Sequence, residues 1–296
     1  MLKITKAVLP VGGLGTRFLP ISKANSKEML PIVDKPLIQY IVEEVINSDI
    51  TEIIFVTGRS KKIIEDYFNK SYEIEKELEE KGKNKLLDLI RTIKPRHVNF
   101  SYVHQTKALG LGHAILCAEK LIANNPFAVV LTDNLLDAAP PVIKQMIEAF
   151  NNYQKSVIGI DEIPLSDTNS YGIIEGKELE NSIFKVTNIF EKPKPSLAKS
   201  NLGIIGRYIL TPRVFKHLSA LKPGLNNELQ LTDAIQSLLL DENIIAYKYK
   251  GTRYDCGSKI GYLKATVEFA LRHKEVGTDF QSYLVNKFES LKNRKP

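Results

Sequence analysis

The sequence has few cysteines and lacks a long apolar run. Its two cysteines, Cys117 and Cys256, have no metal-binding spacing and are too few for a disulfide framework. No apolar stretch reaches the about 18 residues that a membrane-spanning helix needs. The apolar run at the N-terminus is too short for a secretory signal and ends in a glycine loop rather than a cleavage site. We therefore expect a cytoplasmic protein that does not contact membranes.

Internal repeats, low-complexity tracts and a linker rich in glycine, serine or proline are also absent. The 296 residues could hold one or two domains at about 150 residues each. Without a linker, we expect two halves, 1–155 and 156–275, to form a single domain with one sheet and one cleft. A C-terminal helix is predicted within 276–296.

Positive charge is in excess but is not concentrated. The net charge is +7 and the pI is near 9.1, yet lysines alternate with acids, as in 73–94. Mixed charges at helical spacing are typical of a solvated surface, so we do not expect nucleic-acid binding. A diffuse positive balance attracts small polyanions such as nucleoside triphosphates and sugar phosphates.

Short apolar, β-branched runs alternate with amphipathic runs in the first half. The predicted strands are 4–10, 53–57, 98–103 and 127–132, and the predicted helices are 37–47, 61–69 and 112–122. This alternation predicts an α/β fold with parallel strands and helices on both faces of the sheet. Ligands of such sheets bind at the carboxyl ends of the strands.

The second half has a different pattern, in which strands follow one another with few helices between them. The predicted strands are 156–160, 171–175, 184–190 and 202–210, and the predicted helices are 227–241, 258–272 and a tail helix from Asp279. We interpret this half as a mixed or antiparallel extension of the sheet. Residues 71–95 are predicted to be a helical insertion.

A glycine-rich loop directly follows the first predicted strand. Gly12, Gly13 and Gly15 would let the backbone approach a ligand and direct its amides at phosphate oxygens, although a simple tight turn is an alternative. The loop ends in Arg17 and lacks the Gly-Lys-Ser/Thr of a Walker motif, and Phe18 occupies the position of the third glycine of a dinucleotide motif.

Lys27 follows Arg17 by ten residues. An arginine can hold two phosphate oxygens at once, and a lysine supplies a mobile point charge. Each residue alone would be typical of a protein surface. Together they could neutralise a triphosphate while its α-phosphorus is attacked.

Several ordered blocks carry a resemblance to a known family. They are GGLGTRFLP, SKEMLPIVDKPLIQY, LGLGHAILCAE, EKPKP, NLGIIGRYIL, NELQLTDAI and YDCGSKIGYLKATVEFALRH. Together they resemble the sugar-1-phosphate nucleotidyltransferases over about residues 4–275. The resemblance implies a Rossmann-like, mixed and mainly parallel sheet of the nucleotide-diphospho-sugar transferase type. It also implies a nucleotide-binding first half, a sugar-binding second half, and a homodimer or homotetramer.

Within that family, the blocks are most similar to the bacterial members that use UTP and glucose-1-phosphate. The implied reaction gives UDP-glucose and pyrophosphate. A phosphate oxygen of the sugar phosphate attacks the α-phosphorus of UTP in line. Because the second pKa of a phosphate monoester is about 6, the attacking group is already anionic and needs neither a general base nor a covalent nucleophile. The site must hold two polyanions together through positioning and cationic charge.

Two aspartates match the magnesium ligands of the family. Asp133 follows a strongly apolar strand, where a sheet of this kind places ligand groups, and Asp255 lies in Tyr254-Asp255-Cys256-Gly257. Mg²⁺ binds oxygen and usually takes only one or two carboxylates. The alternative for Asp133 is a helix N-cap or turn residue.

The family motifs assign the remaining site residues. The catalytic set that the resemblance implies is Arg17, Lys27, Asp133, Lys192 and Asp255. The implied nucleotide-binding residues are Gly12, Gly13, Gly15, Arg17, Lys27, Gln105 and Gly110. The implied sugar-phosphate-binding residues are Asn134, Gly172, Glu191, Lys192, Asn201 and Gly203.

Gln105 is expected to read the uracil edge, because its amide offers both a donor and an acceptor. His113 begins the helix after Gly110 and is expected to be a buried or capping residue rather than a catalytic one. Glu228 is expected to anchor the helix that follows it.

Three positions depart from the family pattern. Gly12 stands where alanine is more common, Ser26 where proline is frequent, and Thr132 where proline or glycine is frequent. Ser26 and Asn134 match the pattern of the related thymidylyltransferases, so dTTP is an alternative nucleotide. Uracil and thymine differ by one methyl group, and a binding pocket discriminates at that level by only about 1–3 kcal/mol.

Two other classes of protein are alternatives to a nucleotidyltransferase. A catalytically silent regulatory paralogue should have lost the cationic or metal-binding residues, which this chain retains. A nicotinamide-dependent oxidoreductase should have the glycine fingerprint, which this chain lacks.

Overall fold

The computed structural model describes residues 3–58, 62–180, 182–224 and 227–292. The strands are β1 (Lys6–Pro10), β2 (Pro31–Ile32), β3 (Lys35–Pro36), β4 (Glu52–Thr57), β5 (Asn99–His104), β6 (Phe127–Val130), β7 (Asn134–Asp137), β8 (Val157–Glu162), β9 (Gly172–Glu180), β10 (Ile183–Glu191), β11 (Leu202–Leu210), β12 (Ile245–Lys248) and β13 (Thr252–Asp255).

The α-helices surround these strands. They are α1 (Leu37–Ile46), α2 (Lys62–Phe68), α3 (Tyr72–Glu80), α4 (Asn84–Thr92), α5 (Gly110–Cys117), α6 (Glu119–Ile122), α7 (Val142–Tyr153), α8 (Val214–Ala220), α9 (Leu231–Leu238), α10 (Lys259–Leu271) and α11 (Gly277–Lys292). Among the described residues, none of these helices is both long enough and apolar enough to cross a membrane.

One sheet contains nine of the strands, in the order β5-β4-β1-β6-β11-β8-β12-β10-β9. Strands β5, β4, β1 and β6 pair parallel with one another. Strand β11 is antiparallel to both β6 and β8, and it thereby joins the strands of the first half to those of the second. The parallel pairing is concentrated in the first half, and the second half is largely antiparallel.

Helices cover both faces of this sheet, as the strand–helix alternation predicts. Ala7 and Leu9 of β1 belong to the buried cluster that includes α1 and α7, whereas Val8 belongs to the cluster that includes α5, α8 and α9. Successive strand residues point to opposite faces, so β1 contributes to two cores at once. Both faces are therefore apolar, and polar groups are exposed mainly at the ends of the strands.

The sequence predictions differ from the structure in several element boundaries. The helix predicted at 112–122 is divided at Ala118 into α5 and α6, and the helix predicted at 227–241 is shortened to α9. The insertion 71–95 forms two helices, α3 and α4. Lys61, predicted as the first residue of a helix, and residues 293–296 of the predicted tail lie outside the described residues.

A two-stranded sheet that was not predicted from the sequence joins distant parts of the chain. Strands β7 and β13 pair antiparallel, and Asn134 lies opposite Asp255. Both strands have only four residues, which is too short for a recognisable alternation of apolar and polar positions. The pairing places Asp255 directly beside the segment that contains Asp133.

A buried ion pair connects β11 to helix α1. The Arg207 guanidinium donates to both Glu44 carboxylate oxygens, at 3.3 Å and 2.8 Å, and its side chain has no exposed surface. It also donates to the backbone carbonyls of Leu131 and Asn134, at 2.8 Å and 2.7 Å. The pair therefore holds the backbone on both sides of Asp133.

We predict that Arg207→Met lowers the free energy of unfolding by about 3–5 kcal/mol, because the substitution leaves the Glu44 carboxylate buried without its charged partner. Urea unfolding measures this loss. The matched control is Lys144→Met, which breaks an exposed 3.3 Å pair with Asp49 and should cost less than about 1 kcal/mol. Equal losses in the two variants would contradict the role given to the buried pair.

Candidate active site

A cavity of about 880 Å³ lies at the carboxyl ends of the parallel strands. The loop after β1, Gln105 after β5 and Asp133 after β6 line one side of it, and residues of the second half line the other. Because parallel strands end at the same edge of a sheet, segments far apart in sequence meet there. The cavity is therefore shared by both halves of the chain.

The structure brings most of the predicted site residues together in this cavity. Those that line it are Gly12, Gly13, Gly15, Arg17, Lys27, Gln105, Gly110, Asp133, Asn134, Gly172, Glu191, Lys192 and Asp255. They include all five residues of the implied catalytic set. Residues predicted to bind the nucleotide and residues predicted to bind the sugar phosphate line one continuous cavity. We call the parts that they line the nucleotide end and the sugar end.

Asn201 and Gly203, which were assigned to the sugar pocket, do not line this cavity. Asn201 lines a smaller cavity elsewhere, and a Cβ placed on Gly203 would lie 3.0 Å from Ile163 Cγ2. The lining residues of β11 are Ile204 and Tyr208, together with Gly206. Since side chains alternate along a strand, odd-numbered positions of β11 face away from positions 204, 206 and 208.

The glycine loop places Arg17 against the β13 segment. Gly15 has φ +65°, and a Cβ at this position would lie 3.2 Å from the Lys27 Cβ, so glycine is required there. The following 3-10 turn, Thr16–Phe18, contains Arg17, whose Nη1 donates to the Gly257 carbonyl at 3.5 Å. The loop therefore brings the guanidinium within reach of the Asp255 loop.

Lys27 forms an ion pair with Asp133. Its Nζ donates to Asp133 Oδ2 at 2.8 Å. Burial alone would lower the pKa of Lys27, but the charges of Asp133 and Glu28 outweigh it and raise that pKa. Burial would likewise raise the pKa of Asp133, but the Lys27 ammonium outweighs it and lowers that pKa. Both groups are therefore charged at neutral pH.

The carboxylates of Asp133 and Asp255 converge beside Gly257. A Cβ placed on Gly257 would lie 3.0 Å from Asp255 Oδ1 and 3.3 Å from Asp133 Oδ2. The Gly257 amide also donates to Asp255 Oδ1 at 3.0 Å, which orients that carboxylate. Because the residue after Asp133 begins strand β7 rather than a helix, Asp133 is not a helix N-cap. It does lie in the turn between β6 and β7, as the alternative of a turn residue expects, and it also lines the cavity.

These two carboxylates fit Mg²⁺ by the chemistry of their donors. Within the described residues, no group of three or more His, Cys, Asp or Glu side chains could hold a metal ion. Mg²⁺ does not need such a group, because it usually takes one or two carboxylates and completes its shell with water and phosphate oxygens. Both aspartates line the cavity, from which such further ligands could approach.

Gln105 lies buried at the nucleotide end of the cavity. Its Nε2 donates to the Gly110 carbonyl at 3.2 Å and lies 3.0 Å from His113 Nδ1. Its Oε1 faces the glycine loop, since a Cβ placed on Gly12 would lie 3.2 Å from it. His113 thus contacts Gln105, a role that the expectation of a capping or buried residue did not include.

The loop before α9 packs against the loop before α5. Leu229 donates its amide to the Leu109 carbonyl and accepts from the Gly112 amide, both at 2.8 Å. Gly110 has φ +91°, and a Cβ there would lie 2.8 Å from the Glu228 Cβ. Glu228 therefore has a second place in the structure besides preceding helix α9: it lines the cavity beside Gly110.

Gly172 and Glu191 line the sugar end of the cavity. A Cβ at Gly172 would lie 2.9 Å from Thr232 Cγ2, so a side chain would not fit there. Glu191 Oε2 accepts from the Thr232 hydroxyl at 2.8 Å, and Glu191 Oε1 pairs with Lys192 Nζ at 3.0 Å. Lys192 is half exposed, so its ammonium is accessible to a phosphate.

The sequence analysis missed Arg253 as a residue that supports this end. Arg253 Nη1 donates to Asn134 Oδ1 at 3.2 Å and to the Tyr171 hydroxyl at 3.3 Å, and the guanidinium lies over the Tyr171 ring. The only signal for this role in the sequence is that Arg253 lies two residues before Asp255 on a strand. Residues two apart on a strand lie on the same face, so the side chains of Arg253 and Asp255 share a face.

Comparison with known proteins agrees with the motifs. The profile of the nucleotidyl transferase family matches residues 6–271. The UTP–glucose-1-phosphate uridylyltransferase of Staphylococcus epidermidis is 46% identical over 284 residues, covering 96% of this chain and 98% of that protein.

Two solved structures are similar over nearly the whole chain. The crystal structure of a UDP-glucose pyrophosphorylase complexed with UDP-glucose is 47% identical, covers 92% of this chain and 100% of its own, and has a TM-score of 0.84. The UTP-bound UGPase from Acinetobacter baumannii is 40% identical, covers 96% of this chain and 99% of its own, and has a TM-score of 0.89. These similarities confirm the predicted fold class, and the chain belongs to the nucleotidyl transferase family.

Proposed function

We propose that this chain transfers the uridylyl group of UTP to glucose-1-phosphate, giving UDP-glucose and pyrophosphate. One observation carries the proposal: a single cavity joins the glycine loop and Lys27 to the Glu191–Lys192 pair, with Asp133 and Asp255 between them. The relatives that share these motifs are named for this reaction or bind its substrate and product. A cavity of this kind brings two phosphorylated molecules to one place.

The charges of the site fit attack on a phosphorus without a covalent intermediate. The sugar phosphate is already an anionic nucleophile at neutral pH, so the protein needs to align it and offset repulsion between two polyanions. Arg17 and Lys27 come from the first half and Lys192 from the second, and all three line the cavity. Glu191 can accept hydrogen bonds from the glucose hydroxyls and thereby orient the sugar.

Mg²⁺ is proposed to bind Asp133 and Asp255. When bound, it would neutralise charge on the phosphate oxygens of the nucleotide and of the transition state. In the structure, Lys27 pairs with Asp133. We therefore propose that Lys27 is released from Asp133 towards a phosphate oxygen when metal and nucleotide bind.

Two alternatives are less well supported. The relatives above are named for UTP or bind it, which favours UTP over dTTP. A silent regulatory paralogue would lack part of the charged set, but every member lines the cavity. Assembly into a homodimer or homotetramer and a cytoplasmic location stay predictions from the resemblance.

We predict pyrophosphate release when the purified protein is incubated with UTP, glucose-1-phosphate and Mg²⁺, and none when EDTA replaces the metal. Excess Mg²⁺ should restore the activity. Parallel reactions with dTTP and with galactose-1-phosphate measure selectivity. Equal or faster turnover with dTTP would refute the nucleotide assignment, and full activity in EDTA would refute the metal.

We predict that Asp133→Asn lowers kcat by about 100-fold or more, because charge stabilisation in the transition state is lost. The unfolding midpoint should change little. Asp137→Asn is the matched control, because Asp137 ends strand β7, which begins directly after Asp133, and pairs with Arg272 at 2.7 Å, outside the cavity lining. Loss of the folded state in Asp133→Asn would instead indicate a structural role.

We predict that Lys192→Ala raises KM for glucose-1-phosphate by about 10- to 100-fold, as expected for the loss of a charge-assisted hydrogen bond. The KM for UTP should change far less. Lys194→Ala removes an exposed charge two residues away that does not line the cavity and should leave both constants unchanged. A parallel rise of both KM values in Lys192→Ala would argue against sugar-phosphate binding by this residue.

A further inference from the structure

The orientation of the Gln105 amide is determined by its neighbours. The Gly110 carbonyl oxygen can only accept hydrogen bonds, so the amide atom 3.2 Å away from it must be the NH₂ nitrogen, Nε2. The second hydrogen of that NH₂ group lies towards His113 Nδ1, 3.0 Å from Nε2. His113 Nδ1 must therefore be the unprotonated, accepting nitrogen of the ring.

Cys117 is compatible with this state of the histidine. One helical turn after His113, the Cys117 Sγ lies 3.9 Å from the same Nδ1. Burial raises the pKa of the Cys117 thiol, so the thiol keeps its proton, and a thiol can act as a weak donor as well as a weak acceptor. The assignment of Nδ1 as an acceptor therefore rests on its contact with Gln105 Nε2.

Both hydrogens of the Gln105 amide are consequently used within the protein. The sequence analysis expected Gln105 to offer a donor and an acceptor to the base, and the structure leaves only the acceptor. Among the described residues, Gln105 Oε1 accepts no hydrogen bond, and it faces the glycine loop at Gly12, which lines the cavity. The group available to a nucleotide base is a lone acceptor.

A lone acceptor distinguishes between pyrimidines. In a uracil nucleotide the ring has one hydrogen-bond donor, N3–H, because N1 carries the ribose. Where Oε1 lies opposite ring position 3, thymine offers the same N3–H, whereas N3 of cytosine is an acceptor and would face Oε1 with lone pair against lone pair. The only ring-edge donor of cytosine is its amino group at position 4. A site whose buried polar group is left unpaired rejects the wrong ligand strongly.

We propose that His113 is a positioning residue that sets base specificity, because its Nδ1 holds Gln105 with Oε1 towards the base and so selects an N3–H ring over cytosine. The inference rests on the proposed function and deepens it. His113 itself does not line the cavity. It acts through Gln105: without Nδ1, only the bond to the Gly110 carbonyl opposes rotation of the amide. The orientation that presents Nε2 to the base, and so pairs with cytosine N3, is then less strongly disfavoured.

The test compares His113→Leu with His113→Asn. Leucine has no acceptor, whereas the Asn side-chain oxygen can replace Nδ1. Steady-state assays give KM for UTP and for glucose-1-phosphate, and competition with UTP gives the inhibition constants of CTP and dTTP. Cys117→Ala is the matched control on the same helix face, because it removes the other contact of Nδ1 and leaves the Gln105 bond.

In His113→Leu, we expect the ratio of the CTP inhibition constant to the UTP KM to fall about three- to tenfold, as for the loss of one neutral hydrogen bond. The dTTP constant should rise in parallel with the UTP KM, because thymine keeps N3–H. The KM for glucose-1-phosphate should not change. His113→Asn and Cys117→Ala should keep the wild-type ratio.

Three results would overturn the inference. The wild-type protein could bind CTP as tightly as UTP, or His113→Leu could leave the ratio of the CTP inhibition constant to the UTP KM unchanged. The third is that His113→Asn lowers this ratio as much as His113→Leu does. If His113→Leu does not fold, His113→Phe, which also lacks an acceptor, takes its place. Wild-type protein that does not turn over UTP at all would refute the proposed function, and that result is distinct from each of these.

Discussion

The buried pair of Arg207 and Glu44 is the interaction on which the site depends most. Arg207 comes from the strand that joins the two halves of the sheet, and it binds the backbone carbonyls on both sides of Asp133. A buried guanidinium is tolerated only where its charge and its donors are satisfied. The need to satisfy Arg207 therefore places Glu44 of α1 and the backbone around Asp133 in one fixed arrangement.

A second constraint is electrostatic. Arg17, Lys27 and Lys192 line a cavity that is also lined by three aspartates and three glutamates. The ion pairs Lys27–Asp133 and Lys192–Glu191 offset part of these charges within the protein. In the proposed function, polyanionic substrates and a divalent cation would take over the same charges. Binding would then exchange internal ion pairs for contacts with ligands, which limits the cost of bringing like charges together.

The base end of the cavity depends on hydrogen-bond direction rather than on charge. The Gly110 carbonyl and His113 Nδ1 together occupy the donors of Gln105. The Leu229 backbone bonds to Leu109 and Gly112 and so holds the loop of Gly110 in place. Residues of the second half thereby support the loop that would contact the nucleotide in the proposed function. This coupling explains why the glycines at 110 and 112 meet the segment at 228–229 so closely.

The sequence by itself determined the α/β class, the parallel strands of the first half and most of the cavity lining, because strand–helix alternation and contiguous motifs are local signals. It did not reveal the β7–β13 pairing, the contacts of Arg253 and His113, or the side of β11 on which Gly203 lies. Those depend on strand pairing and rotation between residues far apart in the chain, such as Asn134 and Asp255. Only the tertiary structure decides them, since no local pattern specifies which distant backbone or side chain satisfies a given polar group.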